Sequence, residues 1–376
     1  MINNISKSTS TDITHFPLPL SPNHLTGIMR IYPQVSYTFC FIISFLIIGC
    51  GNSEAARKKQ VAGGAAKKDS VAATPVVKQE PPKLDTTLYN KLVLHMVHDS
   101  ASAKWPVKTA YPLPGAILPF HRIIAYYGNF YSTKMGILGE LEPDSMLAHL
   151  TREVKKWQEA DTAMKTIPAL HYIVVSAQGS PGKGNKYRMR MPFTQIDKTL
   201  ELAKKVDGLV FLDVQVGWST LKEEIPLLEA YLKLPNVHLA IDPEFSMKTQ
   251  RKPGTIIGTF DAADINYASQ YLADLVKKYN LPPKILIVHR FTKGMVTNYK
   301  QINTQPEVQV VMDMDGWGFP AKKVSSYQLA IINEPVQFSG FKLFYKNDIK
   351  TPPWKTIMKP EDVLKLYPRP VYIQYQ

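Results

Sequence analysis

The chain has 376 residues, 45% hydrophobic, 10% aromatic and 20% charged, an ordinary globular mix that excludes a collagen-like or wholly disordered protein. Its net charge of +14 is spread over the whole length, and its two cysteines are too few for a disulfide framework or a four-thiolate zinc site. That length holds one large domain or two small ones; a single α/β barrel needs roughly 250 residues.

Residues 1–28 are polar and Pro-containing without signal character, and are read as an extension upstream of a true start at Met29-Arg30. Tyr37 to Gly49 is an apolar run of 13 residues. A membrane span needs about 20, so residues 29–49 read as a signal peptide instead. The run ends in Leu46-Ile47-Ile48-Gly49-Cys50, followed by Gly51-Asn52-Ser53. This stretch resembles the lipobox of bacterial lipoproteins. The resemblance implies export, cleavage before Cys50, attachment of an acyl lipid such as palmitate to Cys50, and anchoring to a membrane of the cell envelope, at the outer membrane or cell surface. Cys40 then leaves with the signal peptide, and no thiol remains to act as a nucleophile. Residues 50–83 are rich in Ala, Lys, Pro and Val with almost no large apolar side chain, which describes a soluble tether rather than a core.

From residue 84 onward the pattern changes. Asp85 is placed to cap a short helix over 86–97, and a Pro-rich lead-in runs to 116. Strand-like apolar runs follow at 122–128, 171–178, 208–216, 238–245, 285–291, 308–315, 328–334 and 341–345. Helical patterns fall between the earlier ones: 143–160 opens with acidic residues, 194–206 repeats apolar residues at helical spacing, 220–234 has Ser219 as candidate cap, and Asp261 caps a stretch ending near Tyr279. Eight strand–helix units in residues 117–376 predict an α/β fold of the (β/α)8 TIM-barrel type. The alternative, a doubly wound open sheet, calls for a glycine-rich phosphate turn after an early strand. The Gly179–Gly184 segment lacks that spacing and reads as a basic loop with Lys183, Lys186, Arg188 and Arg190 nearby.

In such barrels the C-terminal strand ends converge on one mouth, and side chains two apart share a face. On the third strand Leu209, Phe211, Asp213 and Gln215 align; on the fourth, Ala240, Asp242 and Glu244; on the fifth, Ile285, Ile287 and His289; on the sixth, Val311, Asp313 and Asp315. The first strand adds Tyr126 or Tyr127, the second Ser176 and Gln178, the seventh Asn333 or Glu334. Paired carboxylates are what glycoside cleavage requires, one giving a proton to the leaving oxygen and the other acting as nucleophile or activating water. Glu244 is the expected acid/base, Asp213 or Asp315 its partner, and Asp242 an orienting group. His289 is expected to bind a sugar hydroxyl or tune an acid, with Trp218, Trp317 and Tyr127 stacking on sugar rings and Gln215 and Asp313 completing the substrate-binding set.

The pattern is similar to glycoside-hydrolase-like barrels of secreted bacterial proteins. Asn333-Glu334-Pro335 looks like the acid/base motif of a large glycosidase clan, displaced from the fourth strand to the seventh, and Asp313-Met314-Asp315 lacks the terminal Glu of the chitinase-like signature. The resemblance therefore implies the barrel and leaves the active residues open. Two other functions compete with a carbohydrate-active hydrolase. Asp213, Asp242, Glu244 and His289 offer donors for a divalent ion in a metal-dependent hydrolase or lyase, although no HxH or HExxH is present and no cofactor is expected. The net +9 on residues 84–376 also suits a non-catalytic barrel binding polysaccharide or a cell-envelope polymer. Nucleic acid is not an expected partner, because no helix carries a stripe of Arg and Lys.

Overall fold

The structure, a computed structural model, describes residues 83–376. The start-site, signal-peptide and Cys50 lipidation readings, and all of the tether but Lys83, lie outside the described residues.

Eight parallel strands form a closed barrel: β1 (His121–Gly128), β2 (Lys165–Ala177), β3 (Leu209–Val214), β4 (Val237–Ile241), β5 (Lys284–His289), β6 (Val308–Met314), β7 (Phe338–Leu343) and β8 (Tyr372–Tyr375). Each pairs with the next, and β1 pairs with both β2 and β8, which closes the ring. The principal helices are α1 (Thr86–Met96), α2 (Pro143–Ala160), α3 (Phe193–Lys204), α4 (Ala262–Tyr279) and α5 (Pro320–Tyr327). Local chemistry accounts for their ends. Asp85 accepts from the Leu88 amide at 2.9 Å, and Asp261 with Asp264 forms a reciprocal capping box that starts α4. Asn280, at φ 50°, stops α4 in the left-handed conformation that Asn tolerates.

Three expectations need correction. Residues 328–334 are not a strand: Gln328–Ile332 continues α5 as a π-type turn. A short apolar run does not reveal its own period, and this one follows a helix without a break. The seventh strand is Phe338–Leu343, which absorbs most of the segment expected as the eighth, and the true eighth is Tyr372–Tyr375. Residues 220–234 form no continuous helix, because Pro226 lies within a 3-10 turn (Ile225–Leu228) between two single helical turns. Thr220, not Ser219, provides the cap, accepting from the Glu223 amide. The basic loop leads into a short strand, Arg188–Arg190, antiparallel to the end of β2. Its arginines grip Glu224, at 2.8 Å from Arg188 Nε and 2.6 Å from Arg190 Nε.

The barrel interior is divided by polarity. Ile123, Ala125, Ala169, Leu209, Phe211, Ala240, Ile285, Ile287, Val311 and Phe338 pack as one cluster, which Met96 of α1, Leu118 and Met164 join. Toward the C-terminal strand ends the same inward faces carry Tyr127, His171, Asp213, Asp242, His289, Asp313 and Lys342, all buried. A larger apolar shell, including Trp157, Leu202, Leu272 and Phe341, fills the space between strands and helices.

α1 is fastened to the barrel by ions. Asp161 lies 2.9 Å from Arg122 Nη1 and 3.0 Å from His95 Nε2, while Arg369 donates to the His95 carbonyl at 2.7 Å. Burial alone would raise the Asp161 carboxyl; the His95 hydrogen bond and the Arg122 guanidinium outweigh it and hold the group well below the usual carboxylate range. Arg122 is fully buried, so removing its partner leaves an uncompensated charge. Asp161→Asn is expected to cost about 3 kcal/mol at neutral pH, measured by urea denaturation. A depressed carboxylate stabilises the fold above its unfolded pKa and ceases to do so in acid. The gap between variant and wild type should therefore narrow as pH falls below about 4.

Candidate active site

A cavity of about 400 Å³ opens at the C-terminal mouth, and its walls include Tyr127, Gln215, Asp242, Glu244, Asp315, Trp317, Lys322 and Lys342. Strand alternation places the carboxylates. Asp242 follows the last residue of β4, and its Oδ1 accepts from the Glu244 amide at 3.0 Å, starting the 3-10 turn Pro243–Phe245. That turn swings Glu244 out of the strand direction and onto the cavity wall. Asp315 follows the end of β6 and faces the same space.

A chain of hydrogen bonds runs from this wall into the barrel. Gln215 Nε2 donates to Asp242 Oδ2 at 3.3 Å and to the Tyr127 hydroxyl at 3.2 Å, while its Oε1 accepts from the Ala177 amide at 3.1 Å. The Tyr127 hydroxyl donates to Asp213 Oδ2 at 3.1 Å. Below it, His289 Nδ1 lies 3.3 Å from Asp315 Oδ2 and 3.5 Å from Asp313 Oδ2, within ion-pairing reach but off the axis of a good hydrogen bond. Gly340 makes room for this group: a Cβ there would lie 2.5 Å from Asp313 Oδ1 and 3.1 Å from the Tyr372 ring.

The electrostatics follow from crowding acids in a dry space. Burial lifts the Asp242 carboxyl well above the carboxylate range, with Glu244, Asp213 and Asp315 adding repulsion against the opposing pull of His289. Asp213 and Asp313 are also raised by burial, though His289 and Lys342 oppose it. Glu244 is pushed up to about 7, by burial first and then by the charge of Asp315. Burial disfavours the charged form of His289, yet its contacts with Asp313 and Asp315 and the charge of Asp213 prevail and hold it protonated well above its ordinary range. His171 is held neutral by burial and by the neighbouring charge of His289.

The sequence-derived candidates divide by depth. Glu244, Asp242, Asp315, Gln215, Tyr127 and Trp317 line the cavity. Asp213, His289 and Asp313 lie beneath its floor with no exposed surface, so contact between His289 and a sugar hydroxyl is not available in this arrangement. Trp218 is not on the cavity wall; its indole donates to the Arg251 carbonyl at 2.9 Å and its ring packs 4.1 Å from Tyr187. Trp317 is 48% exposed, with Lys322 Nζ 4.6 Å from its ring centroid. Of the second-strand candidates, Ser176 lines the cavity and Gln178 does not. A register shift between Ile173 and Val175 breaks the alternation there. Glu334, part of the Asn-Glu-Pro match, is ion-paired to Arg290 and Lys293 away from the mouth.

Two participants escaped the sequence reading. Lys342 reaches the cavity from β7, its ammonium 3.7 Å from the Tyr127 ring centroid; it fell inside the strand expected at 341–345, for which no inward face was assigned. His171 is interior because β2 begins at Lys165; counting inward from Ile167 and Ala169 would have found it.

No known protein-family model matches the chain, and no curated protein matches it in sequence. The site is therefore argued from its own geometry.

The raised Glu244 carboxyl has a stability signature. The native state holds this proton to about pH 7, whereas an unfolded Glu releases it near 4.3. Stability therefore falls between those values as pH rises. Glu244→Gln removes that penalty, so the variant should gain on the wild type by up to about 3 kcal/mol at pH 8 and by little at pH 4. Denaturant unfolding at both pH values measures the difference.

Proposed function

We propose that this protein is a carbohydrate-active hydrolase working by two-carboxylate chemistry at the barrel mouth, carried on a lipid anchor at Cys50. The observation that carries the reading is the state of Glu244: a carboxyl on the cavity wall that keeps its proton to about pH 7, beside Asp242 and Asp315 on the same wall.

In this reading Glu244 donates its proton to the oxygen of the departing sugar. Its carboxyl forms no side-chain hydrogen bond among the described residues, which leaves it free to meet a substrate. Asp315 is the partner that attacks the anomeric carbon or activates water. Asp213, an expected alternative partner, is too deep for that role and is engaged by Tyr127. Asp242 accepts from the Glu244 amide and so holds the turn that bears it, which supports an orienting role. Trp317, exposed at the rim, offers an apolar face to a sugar ring. The short connection of Asp242 to Asp213 through Gln215 and Tyr127 ties the position of the wall to the buried ions beneath it.

The test is a screen of the full chain against a panel of glycans, scoring both binding and new reducing ends. The proposal expects cleavage of at least one glycan and a loss of kcat of a thousandfold or more in Glu244→Gln with the fold intact. A general acid must be protonated, so kcat/KM should decline above about pH 7 in the wild type. Binding without cleavage by wild type and variant alike would instead make the barrel a polysaccharide-binding module.

A further inference from the structure

Beneath the cavity floor, three fully buried side chains from three different strands turn unused donor atoms toward one another. His171 Nε2 on β2, Asp213 Oδ1 on β3 and His289 Nε2 on β5 have no hydrogen-bond partner among the described residues. One ligand atom from each lies within 4.8 Å of the others. The two imidazole–carboxylate separations are both 3.9 Å, from His171 Nε2 to Asp213 Oδ2 and from His289 Nε2 to Asp213 Oδ1. A direct hydrogen bond cannot span that gap. Leaving three polar atoms without partners in a dry interior costs several kcal/mol.

The outer sides of these groups are already organised. The second nitrogen of His171 contacts the Tyr372 hydroxyl and, at 3.0 Å, the Gln374 amide. The Gln374 Oε1 is itself without a partner. If that amide turns over, its carbonyl accepts a proton from His171 Nδ1 and Nε2 is left as a lone pair. His289 Nδ1 faces Asp313 and Asp315, the arrangement in which a carboxylate orients an imidazole whose other nitrogen binds an ion, and the ion displaces the proton that the metal-free imidazolium carries on Nε2. Asp213 Oδ2 is fixed by Tyr127, leaving Oδ1 to serve as the third donor.

We infer that His171, Asp213 and His289 form a binding site for one divalent first-row transition-metal ion under the floor of the cavity. Two imidazoles and one carboxylate suit zinc, cobalt, manganese or iron(II); calcium and magnesium prefer all-oxygen shells. Ligand atoms around an ion at about 2.1 Å sit roughly 3.0–3.5 Å apart when neighbouring, so the 3.9 Å between His289 Nε2 and Asp213 Oδ1 closes with a shift under an ångström, and the ion has to draw together a set whose atoms already lie within 4.8 Å of one another. The ion would also supply positive charge where carboxylates outnumber cations. Tyr127 both lines the cavity and caps Asp213, so its ring stands between the cavity and the three donors.

This differs from the donor set expected from sequence, which combined Asp213 and His289 with Asp242 and Glu244; the latter two belong to the cavity wall. The inference is independent of the hydrolase reading, because metal uptake is measured without substrate.

The full chain, stripped with a chelator, is titrated with Co2+ while following visible absorption, and crystals of the cobalt-loaded protein are examined by anomalous diffraction. One ion per chain is expected, bonded to His171, Asp213 and His289, with a rise in Tm that reverses on chelation. Tyr372→Phe, which touches only the orienting hydroxyl, should weaken Co2+ binding about tenfold. His171→Gln should abolish it. Anomalous density elsewhere only, or a water in place of the ion at saturating cobalt, overturns the proposal. These readouts come from the wild-type protein, so they decide the matter even if the buried variants fail to fold.

Discussion

The upper half of this barrel is governed by an excess of buried acid. Asp213, Asp242, Glu244, Asp313 and Asp315 share a small volume, with His289 and Lys342 as the positive charges that oppose the burial of Asp213. Carboxylates cannot all ionise in such a place, because each charge removes another from water and repels its neighbours. Asp213, Asp242, Glu244 and Asp313 are all pushed toward their protonated forms, and the groups are sorted by how much compensation each receives. His289 stays charged because acids surround it; His171, beside that charge, stays neutral. Glu244 keeps a proton at the wall because burial disfavours its charged form and because Asp315 is near.

The same constraint explains the architecture around the acids. Gly340 is without a side chain where Asp313 and Tyr372 come close, and the apolar lower interior, joined by Met96 and Leu118, is lined with residues that place no further demand for hydrogen bonds. The relay Asp242–Gln215–Tyr127–Asp213 passes from solvent-facing wall to dry core without a gap. A change of charge at Asp213 would thus be felt at Asp242, and through its backbone contact at Glu244. The cavity wall above and the buried charges below are in this sense two faces of one charge-balance problem.

Much of this was legible in the residues. The first six strands were found in order because each is a short apolar run ending in a polar group, and the i, i+2 rule put Asp213, Asp242, His289, Asp313 and Asp315 on inward faces, where they are. Depth was not legible. Alternation shows which face a side chain occupies, not how far up the barrel its strand has been displaced by tilt and stagger, so Asp213 and Asp315 seemed equivalent. The last quarter failed for a different reason. Residues 328–334 carry a strand-like composition, but Gln328–Ile332 is helical because α5 runs directly into it, and that error displaced the strand count after it. Trp218 was placed near the mouth correctly in sequence and still points elsewhere, held by the Arg251 carbonyl.

The strand that closes the barrel comes last. β8 occupies residues 372–375, and it alone joins β7 to β1. While a ribosome is still making the chain, one edge of β1 waits with its backbone groups unpaired, across some 250 residues of sequence. A sheet without β8 is open between β7 and β1, and its inner face is not enclosed. The burial that lifts the Asp213 and Asp242 carboxyls therefore rests on a four-residue strand paired along both of its edges.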